Sequence, residues 1–296
     1  MKKLLNIDGG GVRVYFSLLI LNYIEMKTNK NILELFDYYA GVSASSIILA
    51  GLLTKYTVKD MLKIFKDISS KIFYRSLYQI VSSGFGLFYS KYTDDNINVE
   101  LKKLLENFKL NDCKKPLAIL TYDLNSSKPI CFYSYQDTNQ DLWEVVRGST
   151  AAPTYFQPYK LNDYNLIDGG VVTNNLSEMT FIDALNQYGN MEEYFQLSIG
   201  TGVYNKKFTE TPSGLWSWSG SILDIFFNAT SSYEMLSLNK ISKYENMKAF
   251  HRVDITLDQD IKLDDYTSFD LMDSIFEKWL ESNKDYMDTI CDQLLE

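Results

Sequence analysis

The chain has 296 residues, of which 46% are hydrophobic and 23% charged, an ordinary balance for a globular protein with a real core. Its formal net charge of -9 and pI of about 4.8 exclude nucleic acid as a main partner, because phosphate binding needs clustered Lys and Arg. The same charge argues against simple electrostatic docking on anionic membranes, so membrane contact would have to be local and apolar.

Cys113, Cys131 and Cys291 are odd in number and widely spaced, which fits neither a disulfide framework nor a zinc pattern and suits a reducing compartment. The apolar run after Met1-Lys2-Lys3 stops at Asp8, too early for a signal peptide, and no stretch is apolar enough to span a bilayer. The expectation is a cytoplasmic protein, with peripheral membrane association as a secondary candidate. An aromatic share of 15% suits such a contact, since an aromatic ring can keep one end wet.

In chain order, Leu4 to Ile7 reads as a buried strand that ends in the turn Asp8-Gly9-Gly10-Gly11. A buried helix is expected over Val12 to Lys27, a second strand over Leu35 to Ala40 ending at Gly41, and a helix over Ala44 to Leu53. Val58 to Phe73 is amphipathic, with Met61, Ile64, Phe65 and Ile68 opposite Lys59, Asp60, Lys63 and Lys66. Ser82 to Tyr92 reads as a loop and Asn96 to Phe108 as a helix. Leu117 to Tyr122 and Ile130 to Tyr135 alternate like strands around the turn at 125–129. A short helix over Asp141 to Arg147 and a strand over Asn165 to Ile167 lead to Asp168-Gly169-Gly170. A helix over Ser177 to Tyr188 and a strand over Phe195 to Ile199 follow. Gly214 to Asn246 reads as helices with turns, Ala249 to Leu257 as a strand, and the chain from Asp270 as helix.

Strands alternating with helices imply a three-layer α/β/α fold with a mainly parallel central sheet. One domain is expected over 1–296. Its catalytic core runs to about 205, followed by a helical, aromatic segment over about 206–248 and a final strand and helices over about 249–296. In such sheets functional residues gather at the carboxyl ends of strands, where the glycines at 9–11, 41 and 169–170 fall.

Gly41-Val42-Ser43-Ala44-Ser45 lies between a strand and a helix, the setting of a nucleophile elbow, with Ser45 in the fifth position usually held by glycine. The plain alternative is that Ser43 caps the following helix. A serine nucleophile needs a base. The lone histidine, His251, lies in the strand-like run Phe250 to Ile255 and away from any glycine turn, so a carboxylate is the better candidate. Asp168, at the end of a buried strand, points to the region of the elbow; its plain alternative is a turn aspartate that satisfies nearby N–H groups. The glycines of Asp8-Gly9-Gly10-Gly11-Val12-Arg13 open a helix, so exposed N–H groups there can hold a phosphate or an oxyanion. A dinucleotide fingerprint fails because Val14 stands where a third glycine would be needed, and no Gly-Lys-Ser/Thr follows to make a P-loop.

Together these segments resemble the patatin-like phospholipase family. The resemblance rests on D-G-G-G-x-R at Asp8 to Arg13, on the elbow apart from Ser45, and on Asp168-Gly169-Gly170. It extends to Ser149 to Phe156, to Val172-Thr173-Asn174-Asn175 and to Leu197 to Gly202. Val14 and Leu176 replace residues often Gly and Pro in the family. The resemblance implies a Ser43–Asp168 dyad without histidine, and an oxyanion hole from Gly9, Gly10 and Gly11 helped by Arg13. It implies a glycerolipid substrate, phospholipid above all, with no metal and no cofactor. Acyl transfer by the same dyad and a catalytically silent lipid-binding protein are the rivals. Trp216, Trp218, Phe226 and Phe227 are candidates for contact with the membrane, against the plainer reading of a buried helix pair. Gly84 to Tyr89 is a candidate flap.

Overall fold

A computed structural model describes residues 1–75, 89–136, 139–204, 229–230, 233–234, 236 and 247–296. The candidate membrane residues Trp216, Trp218, Phe226 and Phe227, and residues 84–88 of the candidate flap, lie outside the described residues.

The strands are β1 (Lys2–Ile7), β2 (Tyr38–Val42), β3 (Leu117–Asp123), β4 (Lys128–Tyr133), β5 (Tyr159–Leu161), β6 (Tyr164–Asp168), β7 (Tyr194–Ile199) and β8 (Met247–Val253). They form one sheet in the order β5-β6-β3-β2-β1-β7-β8, with β4 also paired to β3. The run β3-β2-β1-β7-β8 is parallel. The pairs β3–β4, β3–β6 and β5–β6 are antiparallel. The expected parallel core is therefore present, with an antiparallel flank on one side.

Side chains alternate across the sheet as a period of two requires. Leu5, Ile7, Tyr39, Ile119, Leu197 and Ile199 bury into the larger core. That core is shared with α1 (Tyr15–Thr28), α3 (Ala44–Thr54), α4 (Val58–Ile72), α5 (Asp94–Leu105), α6 (Leu142–Ser149) and α8 (Phe269–Leu295). Leu4, Tyr38, Ala40, Val42, Ala118 and Leu120 bury on the opposite face against Leu176, Phe181 and Ala184, the last two on α7 (Ser177–Tyr188). Helices thus cover both faces, as a parallel sheet demands.

Three expectations are corrected. Leu35 is not in a strand: Asn31 and Glu34 form a capping box that starts the short helix α2 (Ile32–Leu35), and β2 begins only at Tyr38. Gly41 is not a turn residue but lies within β2. Lys128 and Pro129 belong to β4, not to the turn.

The sheet has one feature that builds the site. Along one edge of β3, Val42 pairs with Leu120 and Asp168 pairs with Thr121. Strands β2 and β6 run in opposite senses and end head to head at consecutive positions of the same edge. Their carboxyl ends converge on one point.

Candidate active site

Ser43 follows β2 and opens α3 with φ 59 and ψ -135, a conformation that non-glycine residues rarely adopt. Its side chain makes no capping bond to the helix. The Ser43 Oγ instead donates to Asp168 Oδ2 at 2.6 Å. The turn throws the hydroxyl out of the helix axis and toward β6, so the capping alternative fails. The backbone N–H of Ser43 is held by Ser149 Oγ at 2.9 Å, and that hydroxyl donates to Leu120 O at 2.7 Å. Ser149 thus ties the turn to β3 at the convergence point.

Asp168 is 2% exposed. Its carboxylate makes both contacts: Oδ1 accepts from Gly170 N–H at 2.7 Å, as a turn aspartate does, and Oδ2 accepts from Ser43. Burial pushes its carboxyl up to about 6, against the opposing pull of the hydrogen bonds from Ser43 and Gly170. Ser45, the departure from the elbow pattern, is fully buried. Its hydroxyl accepts from Val42 N–H at 2.9 Å and has both Val42 O, at 2.8 Å, and Ile7 O on β1, at 2.9 Å, within reach of its proton.

The glycine loop is held nearly everywhere along its length. Gly9 N–H donates to Asn174 O at 3.1 Å, Val12 N–H to Leu263 O at 2.8 Å and Arg13 N–H to Gly10 O at 3.1 Å. Thr201 Oγ1 donates to Gly9 O at 3.2 Å. Gly9, expected among the oxyanion donors, has therefore spent its N–H on Asn174. Among the described residues, Gly10 N–H and Gly11 N–H have no acceptor, and both residues line the cleft that contains Ser43 and Asp168. Gly11 has φ +56, and a Cβ there would sit 2.0 Å from Leu263 O. A Cβ on Gly10 would sit 2.2 Å from Thr201 Oγ1. Only glycine lets the chain lie this close to its neighbours.

The cleft has about 850 Å³ of empty space, its open mouth included. Gly10, Gly11, Ser43, Asp168 and Asn174 form its polar end. Ile47, Phe65, Ile68, Ile72, Ile97 and Phe156 form apolar walls. The α4 stripe that the amphipathic pattern assigns to the core thus also faces the cleft. Arg13 lines it too. An arrangement of hydroxyl, buried carboxylate and free backbone donors beside an apolar wall can attack a carbonyl attached to a hydrocarbon chain.

His251 stands apart. Its ring nitrogens face Tyr286 Oη and Gln293 Oε1, both on α8. Sequence reasoning missed Ser149, Thr201, Leu263 and Arg252. For Ser149 and Thr201 a signal existed, because both lie in segments that resemble the family. For Leu263 and Arg252 none did. No helix among the described residues is long and apolar enough to cross a membrane.

The family model for patatin-like phospholipase matches residues 5–181. The chain is 28% identical to patatin-like protein 4 of Arabidopsis thaliana, over 95% of this chain and 83% of that protein. It is 26% identical to calcium-independent phospholipase A2-gamma of Mus musculus, over 79% of this chain but 32% of that protein. Among solved structures, VipD from Legionella pneumophila aligns with a TM-score of 0.44 at 14% identity, covering 94% of this chain and 67% of that chain. The match to the family model spans more than half of the sequence and includes the glycine loop, the elbow and the Asp168 turn, and on it the chain belongs to the patatin-like phospholipase family.

Proposed function

We propose that the chain hydrolyses the carboxylic ester bonds of membrane glycerolipids through an acyl-Ser43 intermediate, with Asp168 as the base. The observation that carries this reading is the 2.6 Å hydrogen bond from Ser43 Oγ to the buried Asp168 carboxylate at the polar end of an apolar cleft. As Oγ attacks the ester carbonyl, its proton passes to Asp168 Oδ2. The carbonyl oxygen gains charge and takes hydrogen bonds from Gly10 and Gly11 N–H, close to the positive end of α3. The tetrahedral adduct collapses, the glyceryl alcohol leaves with the proton from Asp168, and the acyl group stays on Ser43. Water, deprotonated by the same carboxylate, then releases the fatty acid and restores Ser43. No step calls on a metal.

The test is free fatty acid released from mixed phospholipid vesicles by the wild type and by Ser43→Ala, with and without EDTA. Release by the wild type alone, unchanged by EDTA, is expected. Equal release by both proteins would remove Ser43 from the reaction.

A further inference from the structure

Arg252, on β8, has no part in the steps above, yet it touches the residue from which the glycine loop springs. Its guanidinium forks onto Asp8, with Nη1 to Oδ1 at 2.9 Å and Nη2 to Oδ2 at 2.6 Å. The other contacts orient the fork: Nη1 donates to Ser198 Oγ at 2.7 Å and Nη2 to Asp254 Oδ2 at 2.7 Å. Asp254 is anchored in turn by Gly202 N–H at 2.9 Å. Arg252 therefore clamps the two loops that follow β1 and β7.

We propose that Arg252 is a positioning residue for the oxyanion donors, fixing through Asp8 the direction in which Gly10 and Gly11 present their N–H groups. The inference rests on the hydrolytic reading of the Ser43 site. Two physical points carry it. The first is geometric. The pins on the loop from Ile199, Asn174, Thr201 and Leu263 are single and uncharged. The fork onto Asp8 is double and charge-assisted, which sets both distance and plane. The second is electrostatic. Asp8 is 3% exposed and stands two residues before the first free donor. A bare carboxylate there would oppose the charge that develops on the substrate carbonyl, and Arg252, shared between Asp8 and Asp254, offsets it at close range. Arg252 lies beyond residues 5–181, where the family model matches, and beyond the expected catalytic core to about 205. The competent site is then not contained in either stretch.

The experiment uses the full chain with Ser43 intact and three variants: Arg252→Lys, Arg252→Gln, and Asp8→Asn/Arg252→Gln. Steady-state kinetics on a water-soluble medium-chain ester give kcat and KM. Affinity for an alkyl trifluoromethyl ketone, whose adduct with the serine places an oxyanion in the hole, reads the donors directly. Affinity for an ether lipid, which has no carbonyl, reads the apolar cleft. Arg252→Lys keeps the charge and loses the fork: kcat and ketone affinity should fall together by about tenfold or more, with KM and ether-lipid affinity unchanged. Arg252→Gln should fall by about a hundredfold. The double variant removes the bare Asp8 carboxylate but not the loss of the fork, so it should recover part of the thermal stability while kcat and ketone affinity stay about tenfold or more below the wild type. If Arg252→Gln is too unstable to assay, the double variant decides alone. Variants that lose stability yet keep kcat and ketone affinity within about threefold of the wild type would reduce Arg252 to a structural ion pair. Parallel loss of ether-lipid affinity would place its effect on lipid binding and overturn the proposal. A folded wild type inactive on every ester would count against the hydrolytic reading instead.

Discussion

The Ser45 hydroxyl lies 2.9 Å from the Ile7 carbonyl and bridges the turn that carries Ser43 to the strand that carries the glycine loop. Its acceptance of the Val42 N–H makes it a two-ended brace. Ser45→Ala should lower stability by about 1–3 kcal/mol, the range for losing hydrogen bonds at a buried site. Ser45→Gly, although it restores the common elbow residue, should be no better, because it removes the same brace and adds backbone freedom. Urea midpoints at unchanged m-value measure both, and a rise in stability for either variant would deny the brace.

Ser43 holds its backbone at φ 59 and ψ -135, a conformation that costs a non-glycine residue about 1–3 kcal/mol. Ser43→Ala and Ser43→Gly both lack the hydroxyl, so comparing them isolates that cost. The glycine variant should be the more stable by about 1–2 kcal/mol, and both should be inactive. Equal melting temperatures would mean that the turn relaxes once the hydroxyl is gone.

The raised pKa of Asp168, about 6, sets the pH response of both activity and stability. The proposed base works ionised, so kcat/KM should climb through pH 6 and level off above it. For stability the sign is opposite. The folded state holds this proton more tightly than the unfolded chain, so the contribution of Asp168 is full below the ordinary carboxylate range and is lost as pH rises toward 6. The cost at neutral pH is about 3 kcal/mol. Asp168→Asn should therefore be inactive and, at pH 8, more stable than the wild type, with the advantage gone near pH 4. Melting temperatures at the two pH values test this, and a variant less stable at both would contradict it.

Gly10 and Gly11 differ in what blocks a side chain. At Gly10 the obstacle is the Thr201 side chain, whereas at Gly11 it is the Leu263 backbone, with a positive φ in addition. Gly11→Ala should cost more than about 3 kcal/mol and admit no rescue from a side chain. Gly10→Ala should cost less, and Thr201→Gly in the same chain should recover part of the loss. The converse order of the two single variants in chemical denaturation would sink this account.

The legible parts of this molecule were those with local signatures. Asp168 stood out because a buried strand followed by two glycines leaves few roles for a carboxylate. The short apolar run of β1 and the alternation in β3 and β4 made those strands readable. Strand β5 escaped because Tyr159–Leu161 is too short to show a period. The helix α2 escaped because the apolar run from Leu35 outweighed the Asn31–Glu34 capping box, a signal that was present. Arg252 was illegible for a different reason. Its meaning lies in a pairing with Asp8 across 244 residues, and nothing in a strand-like run tells an ion-paired guanidinium from a solvated one. The head-to-head meeting of β2 and β6 on β3 is likewise a fact of sheet order, which local pattern does not encode.

That sheet order also governs how the protein comes to exist. Strand β1 lies between β2 and β7, and its Asn6 side chain bonds to Ser198, 192 residues later. At synthesis rates of about 5–20 residues per second, the first strand waits on the order of ten seconds or more for its second neighbour. Contacts this distant in sequence make folding slow and leave strand edges open to aggregation meanwhile. A ribosome-bound fragment carries Ser43 long before Asp168 has been added and longer still before Arg252 reaches Asp8, so a half-made chain holds that serine without the hydrogen bond to Asp168 and without the fork onto the glycine loop.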